Sequence, residues 1–246
     1  MKPHFFAVIP LTALVLTAGI AVADGPKPIR HLAYHFDVSV ISTLTSHSSG
    51  IGDGTGGSGL ANYSGGQSDK GTITLDVMQA AADGGLTVQV AENALNSRSA
   101  KSTLCVVYGD GRMICDPNGK ITEEEQALLQ AAGRNFVDPT QFDAKKHWRV
   151  AGGQNGFTTA TDYTMTAGDP TKVVTISLQR VDKMDGAQGY NATTDGFISY
   201  NMPLSVPTAI KEDTVMRQSQ GMGQDNRVDT HVSMNLLTDS MQVAKP

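Results

Sequence analysis

Residues 31–43 read His-Leu-Ala-Tyr-His-Phe-Asp-Val-Ser-Val-Ile-Ser-Thr, and this stretch decides the fold class. One face carries Leu32, Tyr34, Phe36, Val38 and Val40. The other face carries His31, Ala33, His35, Asp37 and Ser39. Successive side chains of a β-strand point to opposite faces, so strict alternation over this length predicts a strand with one buried and one solvated face.

The same alternation recurs along the chain. Apolar residues alternate with polar ones in 73–77, 86–90 and 174–178. Further strand candidates lie near 147–151, 157–166, 171–182, 194–202, 208–218 and 227–238. About eleven strands with one apolar face each predict a mainly β fold, in which an antiparallel sheet forms a curved half-barrel or a sandwich.

One helix is predicted, over about residues 123–132. Thr122 is a suitable N-cap, and Glu125 stands at the third helical position, where it completes a capping box. Glu123, Glu124 and Glu125 place negative charge in the first turn, which the helix dipole favours. Gly133 is a typical residue after the last helical turn.

Residues 46–69 interrupt the strand pattern. They contain eight glycines and many serines, without periodicity. This composition predicts a flexible Gly/Ser-rich loop at about 46–69. Because strands flank it on both sides, we interpret residues 24–246 as a single β-rich domain.

The N-terminus predicts export. Lys2 is followed by an apolar run from Phe5 to Val22 and by the small-x-small pattern Ala21-Val22-Ala23. This order is typical of a signal peptide, residues 1–23, with cleavage following Ala23 and a secreted or periplasmic product. A membrane anchor is the alternative for this run, but no later segment reaches the roughly 20 apolar residues of a transmembrane helix. We therefore expect no stable transmembrane anchor.

Composition excludes several classes of function. The chain of 246 residues has a net charge of −5, and removal of the signal peptide leaves 18 basic and 24 acidic residues. An acidic protein of this kind is not expected to bind nucleic acid. Two cysteines are too few for a disulfide-dense scaffold. Charge and composition leave the oligomeric state open.

The two cysteines are predicted to form a disulfide within a hairpin. Folding residues 105–115 about Asp110 places Cys105 opposite Cys115 and Val106 opposite Ile114. Opposed residues of antiparallel strands are close enough to be bridged. A redox-active pair is the alternative, but the spacing lacks the Cys-x-x-Cys pattern of such sites.

A calcium-like string follows this hairpin. Asp116, Asn118 and Glu125 match positions 3, 5 and 12 of an EF-hand loop. Position 1, normally aspartate, is Ile114. These three residues are the candidate metal ligands, with a tight turn leading into a capped helix as the alternative. We predict no metal site.

Other residues that carry chemistry are scattered. His31, His35 and Asp37 share one strand face, but the two histidines would lie about 13 Å apart, too far to bind one ion. Trp148 is a candidate ligand contact, with a large core residue as the alternative. The sequence contains no nucleophile-elbow, zincin or P-loop motif, and it predicts no catalytic or cofactor-binding residues and no cofactor.

Residues 71–92, 171–182 and 194–218 form successive amphipathic strands that could curl around one helix. In this layout the chain resembles the half-barrel carriers of the bacterial envelope, the LolA/LppX type. The resemblance implies a concave apolar cavity and a lipid or lipoprotein cargo.

The sequence leads to three hypotheses for function. The first is an exported, non-catalytic binding or carrier protein for an apolar small molecule or lipid, held between the sheet and the helix. The second is an envelope or surface protein that acts by structural or interaction contacts. The third is a hydrolase whose site is built from residues remote in sequence.

Overall fold

The computed structural model describes residues 27–47, 60–80, 83–96, 102–108, 112–133, 136–138, 140, 142–154, 156–186, 189–221 and 224–242. The predicted signal peptide lies outside these residues. The described part is dominated by strands, which comprise 71% of the structure. This confirms the predicted mainly β fold.

Eleven strands and one α-helix follow one another in the described chain. The strands before the helix are β1 (Arg30–His47), β2 (Leu60–Ala80), β3 (Leu86–Ala94), β4 (Thr103–Val107) and β5 (Met113–Cys115). The helix α1 covers Glu123–Ala131. The strands after it are β6 (His147–Gln154), β7 (Phe157–Gly168), β8 (Val173–Met184), β9 (Tyr190–Asn201), β10 (Val206–Gly221) and β11 (Gln224–Asp239), followed by a 3₁₀ turn at Ser240–Gln242.

All eleven strands belong to one curved, unclosed antiparallel sheet. Its order is β5-β4-β3-β2-β1-β11-β10-β9-β8-β7-β6. The first and last strands therefore pair at the centre, where Phe36 faces Met234 and Val38 faces Val232. The helix connects the two edge strands β5 and β6 in sequence and packs against the inner, concave face.

The core lies between α1 and this concave face. Strand alternation places one row of apolar side chains from each strand on the inside, as predicted for residues 32–38. The fully buried members of this core include Tyr34, Phe36, Ile73, Leu75, Val88, Val90, Leu128, Leu129, Ile176, Ile198, Ile210 and Met234. Leu128 and Leu129 are the residues through which the helix joins it.

The helix begins as predicted and ends one residue earlier, at Ala131. The Thr122 hydroxyl accepts a bond from the Glu125 N–H, and the Glu125 carboxylate accepts one from the Thr122 N–H. This reciprocal pair is the predicted capping box, and it satisfies backbone donors that a helix start leaves unpaired.

The predicted cysteine hairpin is confirmed in its register. Cys105 pairs with Cys115, Val106 with Ile114 and Val107 with Met113. Cys105 and Cys115 form a disulfide in the structure, which connects the short edge strand β5 to β4.

The predicted loop at 46–69 is wrong at both ends. Residues 46 and 47 belong to β1, and residues 60–69 belong to β2. Residues 48–59 lie outside the described residues. The glycine-rich part of β2 pairs with β1 through its backbone, with Gly66 opposite Ile41 and Gly65 opposite Ser42. Backbone ladder bonds do not require apolar alternation, which is why the side-chain pattern missed them.

Candidate functional site: an apolar cavity at the end of the helix

A cavity of about 470 Å³ opens where the C-terminal end of α1 meets the concave face. We call it the C-terminal cavity. Its wall is formed by Leu32, Leu75, Val77, Leu86 and Val88 from strands β1–β3. Ala132 and Gly133 close it from the helix side. A volume of this size falls within the roughly 300–1,000 Å³ of ligand pockets in proteins.

The C-terminal cavity lies at the end of the sheet where β1 begins and β2 ends. Leu32 is the third residue of β1, and its pairing partner Leu75 stands five residues before the end of β2. The long extension of the two strands, residues 41–47 of β1 paired with residues 60–66 of β2, lies at the opposite end of the sheet.

The rim of the C-terminal cavity combines exposed apolar groups with one satisfied ion pair. Ile29 and Met241 are 68% and 62% exposed at this rim. Arg30 donates two bonds to the carboxylate of Asp239, at 3.0 and 2.6 Å. It donates a third bond to the carbonyl oxygen of Leu204. Among the described residues that line the cavity, Arg30 is the only charged one, and it is already paired.

Two further cavities flank the N-terminal end of α1, and charged side chains line both of them. One, of about 560 Å³, is lined by Val38 and Val40 but also by Asp69, Glu123 and Glu124. Burial, followed by the nearby Glu92 carboxylate, raises the pKa of Glu124 to about 7. Clustered carboxylates make this end of the concave face unsuited to a fatty acid headgroup.

The second of these cavities, of about 180 Å³, contains a buried charged network. Arg180 binds the carboxylates of Glu212 and Asp182 at 3.2 and 3.1 Å. It also donates to the Gln130 side chain on α1 and to the Thr194 hydroxyl. This network ties the helix to the sheet. Burial raises the pKa of Glu212 in spite of the adjacent Arg180 guanidinium.

The outer face of the sheet carries histidine–aspartate pairs beside exposed apolar side chains such as Ile41 and Phe197. His31 contacts Asp76 at 2.6 Å and His147 contacts Asp162 at 3.2 Å. His35 bonds its own neighbour Asp37 at 3.1 Å, on the face that the sequence predicts to be solvated. Among the described residues, no group of three or more histidine, cysteine, aspartate or glutamate side chains could hold a metal ion.

The calcium candidates serve structural roles here. The Asp116 carboxylate accepts bonds from the backbone and the side chain of Asn118, both exposed. Glu125 is buried and engaged in the capping box. This arrangement corresponds to the alternative interpretation, a turn that leads into a capped helix.

Trp148 is buried in an aromatic cluster. Its ring stacks on Phe142 and on Tyr163, with centroids 4.9 and 5.1 Å apart, and Phe136 meets it edge-on. It lies on the strand β6, away from the residues that line the C-terminal cavity. Its position agrees with the alternative, a large core residue.

Sequence reasoning anticipated a cavity between sheet and helix but missed its residues and the charged network. The signal for the network was present: Arg180 follows Ile176 and Leu178 on the inward face of β8. The same holds for Glu212, which follows the inward Ile210 on β10. A charged residue in an inward position indicates a buried partner.

Comparisons with known proteins give a fold and no family. No family model and no curated protein matches the chain. A solved structure, described as lipid–protein interactions in lipovitellin, matches with a TM-score of 0.50 and 10% sequence identity. The match covers 90% of this chain and 26% of the lipovitellin chain, so this chain spans about a quarter of that protein. At this identity the likeness shows the β fold alone.

Among the described residues, no helix is long and apolar enough to cross a lipid bilayer.

Proposed function

We propose that this chain is an exported, non-catalytic carrier that binds an apolar ligand in the C-terminal cavity. The observation that carries the proposal is the open cavity of about 470 Å³, lined mainly by aliphatic side chains of β1–β3 and by the end of α1. Burial of apolar surface supplies about 25 cal/mol per Å² toward binding. The lipid-carrier-like fold supports the same class of ligand.

The lining of the C-terminal cavity also indicates which part of a ligand would enter. Ile29, Leu86 and Met241 line the cavity and keep accessible apolar surface, so we expect a hydrocarbon chain to occupy it. The guanidinium of Arg30 is held by Asp239 and Leu204. A polar headgroup is therefore expected to remain at the rim, between Ile29 and Met241, in contact with water. The LolA/LppX resemblance, with lipid or lipoprotein cargo, is consistent with this orientation.

The binding test uses cis-parinaric acid, a fatty acid that becomes fluorescent in apolar surroundings. The variant Ala132→Trp adds an indole to the half-buried wall of the C-terminal cavity. Ala91→Trp, on the outer face of β3, adds the same group away from the cavity and serves as the matched control. We expect the delipidated parent and the control to bind, and affinity to fall at least about tenfold in Ala132→Trp, or about 1.4 kcal/mol.

Two outcomes would contradict the proposal. If the parent protein does not bind the probe, the carrier function fails. If Ala132→Trp binds as tightly as Ala91→Trp while both unfold like the parent, the ligand is not bound in the C-terminal cavity.

Export is a separate part of the proposal and has its own test. N-terminal sequencing of the protein recovered from the medium or the periplasm is expected to begin at Asp24, directly after the cleavage pattern at Ala21–Ala23. A protein found in the cytoplasm with Met1 intact would contradict export without affecting the binding test.

A further inference from the structure

The two edges of the open sheet differ in how they are protected. At one edge, β5 has only three residues and is joined to β4 by the disulfide. At the other edge, β6 has eight residues, and among the described strands it has only one neighbour, β7. Proteins blunt exposed edges with short strands, prolines or charged side chains. The centre of β6 has none of these, since residues 150–153 read Val-Ala-Gly-Gly.

The hydrogen bonds around β6 identify the groups that point outward. The carbonyl oxygen of Lys146 accepts from Met165 of β7 at 3.1 Å, so even-numbered residues bond to β7. The backbone groups of odd-numbered residues point away from β7. His147 shows this, because its N–H donates to the Asp143 carboxylate and its carbonyl oxygen accepts from the Asp143 N–H, both outside the sheet. Backbone groups alternate in this way along an antiparallel strand. Arg149, Ala151 and Gly153 therefore present their N–H and C=O groups to the outside.

We propose that a second copy of this chain pairs with β6 through a two-fold axis at Ala151. Antiparallel pairing about this axis places Arg149 opposite Gly153 and Val150 opposite Gly152 of the other copy. Two Ala151 residues face each other on the axis. The three outward residues of each copy then form six N–H···O bonds across the interface, the pattern of an isologous dimer.

The sequence of β6 is self-complementary in this register. Each larger side chain meets a glycine, so the backbones can approach without a steric conflict. The two Arg149 side chains stand four residues apart along the strand, at about 14 Å, so they do not repel at close range. Each Arg149 also has a partner in its own copy, Asp162 at 3.4 Å. This dimer would extend two open sheets into one, and it does not depend on the proposed ligand.

Disulfide trapping tests the register directly. In the proposed dimer the Cα atoms of the two Ala151 residues lie about 5.5 Å apart, within the range that a disulfide spans. The chain has two cysteines, and both are in the intrachain disulfide. Ala151→Cys is therefore expected to give a covalent dimer under mild oxidation. Arg149→Cys, equally exposed but about 14 Å from its symmetry mate, is the matched control and should remain monomeric on a non-reducing gel.

A proline at the same position tests the backbone contribution. Ala151→Pro removes an outward N–H and leaves the bonds between β6 and β7 in place. We expect the parent to be dimeric in sedimentation velocity at about 100 μM and the variant monomeric, with unchanged urea unfolding. A parent that is monomeric at this concentration would overturn the proposal. So would a dimer that survives Ala151→Pro, or trapping of Arg149→Cys as fast as Ala151→Cys.

Discussion

Replacement of Arg180 by methionine tests whether the buried network holds the helix to the sheet. Arg180 bonds Asp182, Gln130, Thr194 and Glu212, and its side chain is 11% exposed. Methionine retains an unbranched apolar stem but none of these bonds. Arg180→Met therefore leaves the Glu212 carboxylate, in a residue only 5% exposed, without its counter-charge.

The expected loss of stability is about 3 kcal/mol at neutral pH. Removal of one partner from a buried ion pair costs roughly 3–5 kcal/mol. The lower end applies here because burial already raises the pKa of Glu212, so its carboxyl can take up a proton once Arg180 is gone. For a domain of this size, about 3 kcal/mol corresponds to a fall in Tm of roughly 6–12 °C. A raised carboxyl pKa destabilises the folded state as pH rises, so the loss should be larger in alkaline than in mildly acidic solution.

The assay is urea unfolding followed by circular dichroism, on Arg180→Met, Glu212→Leu and the double variant. Replacement of both Arg180 and Glu212 by apolar residues removes the more deeply buried unpaired charge, although Asp182, whose side chain is 15% exposed, still loses its partner. The double variant should therefore be more stable than Arg180→Met but less stable than the parent. Arg149→Met is the matched control, because Arg149 is exposed and its pair with Asp162 should contribute less than about 1 kcal/mol. A loss below about 1 kcal/mol in Arg180→Met, or a double variant no more stable than either single variant, would refute this reasoning.

Three other predictions concern pH and the disulfide. Because the pKa of Glu124 is raised to about 7, the parent loses stability as pH rises from 4.5 toward that value. In urea unfolding the free energy of unfolding of Glu124→Gln should therefore exceed that of the parent by about 1–2 kcal/mol in mildly alkaline solution and equal it at low pH. The same difference in stability at both pH values would contradict this prediction. Burial raises the pKa of Asp239. The hydrogen bonds from Arg30 and from the Met241 N–H together lower this pKa by more than burial raises it, so the net shift is downward. Its stabilisation is present above the usual pKa of 3.8 and is lost on acidification, so acid unfolding should show Asp239→Asn less stable than the parent near neutrality with a gap that closes in acid. The Cys105–Cys115 disulfide links residues ten positions apart, and replacing both cysteines by serine should lower the free energy of unfolding by about 3 kcal/mol. The reduced parent should unfold at the same urea concentration as this variant. A reduced parent as stable as the oxidised one would contradict the prediction.

Local features of the fold could be predicted from the sequence. Alternation in residues 32–40 and 73–77 identifies inward faces because the period of a strand is fixed by the backbone. The capping box at Thr122 and the register of the cysteine hairpin depend only on near neighbours in sequence, and both are confirmed. These elements are set by chemistry within a few residues.

Long-range features could not be predicted in this way. The pairing of β1 with β11 joins residues about 200 positions apart, such as Phe36 and Met234, and no local pattern identifies such partners. The glycine-rich start of β2 was predicted as loop because its strand is held by backbone bonds rather than by apolar side chains. The C-terminal cavity likewise brings together strands β1–β3, the end of α1 and Met241, which are distant from one another in sequence.

The most direct test of the carrier account is native mass spectrometry of the protein purified from its exported compartment without detergent. The account predicts an additional mass that corresponds to an acyl-chain molecule and disappears after organic extraction. In the Ala132→Trp variant the same mass should be reduced or absent, and in Ala91→Trp it should persist. A parent protein recovered at the bare mass of its polypeptide, which also fails to take up fatty acid added after purification, would contradict the account.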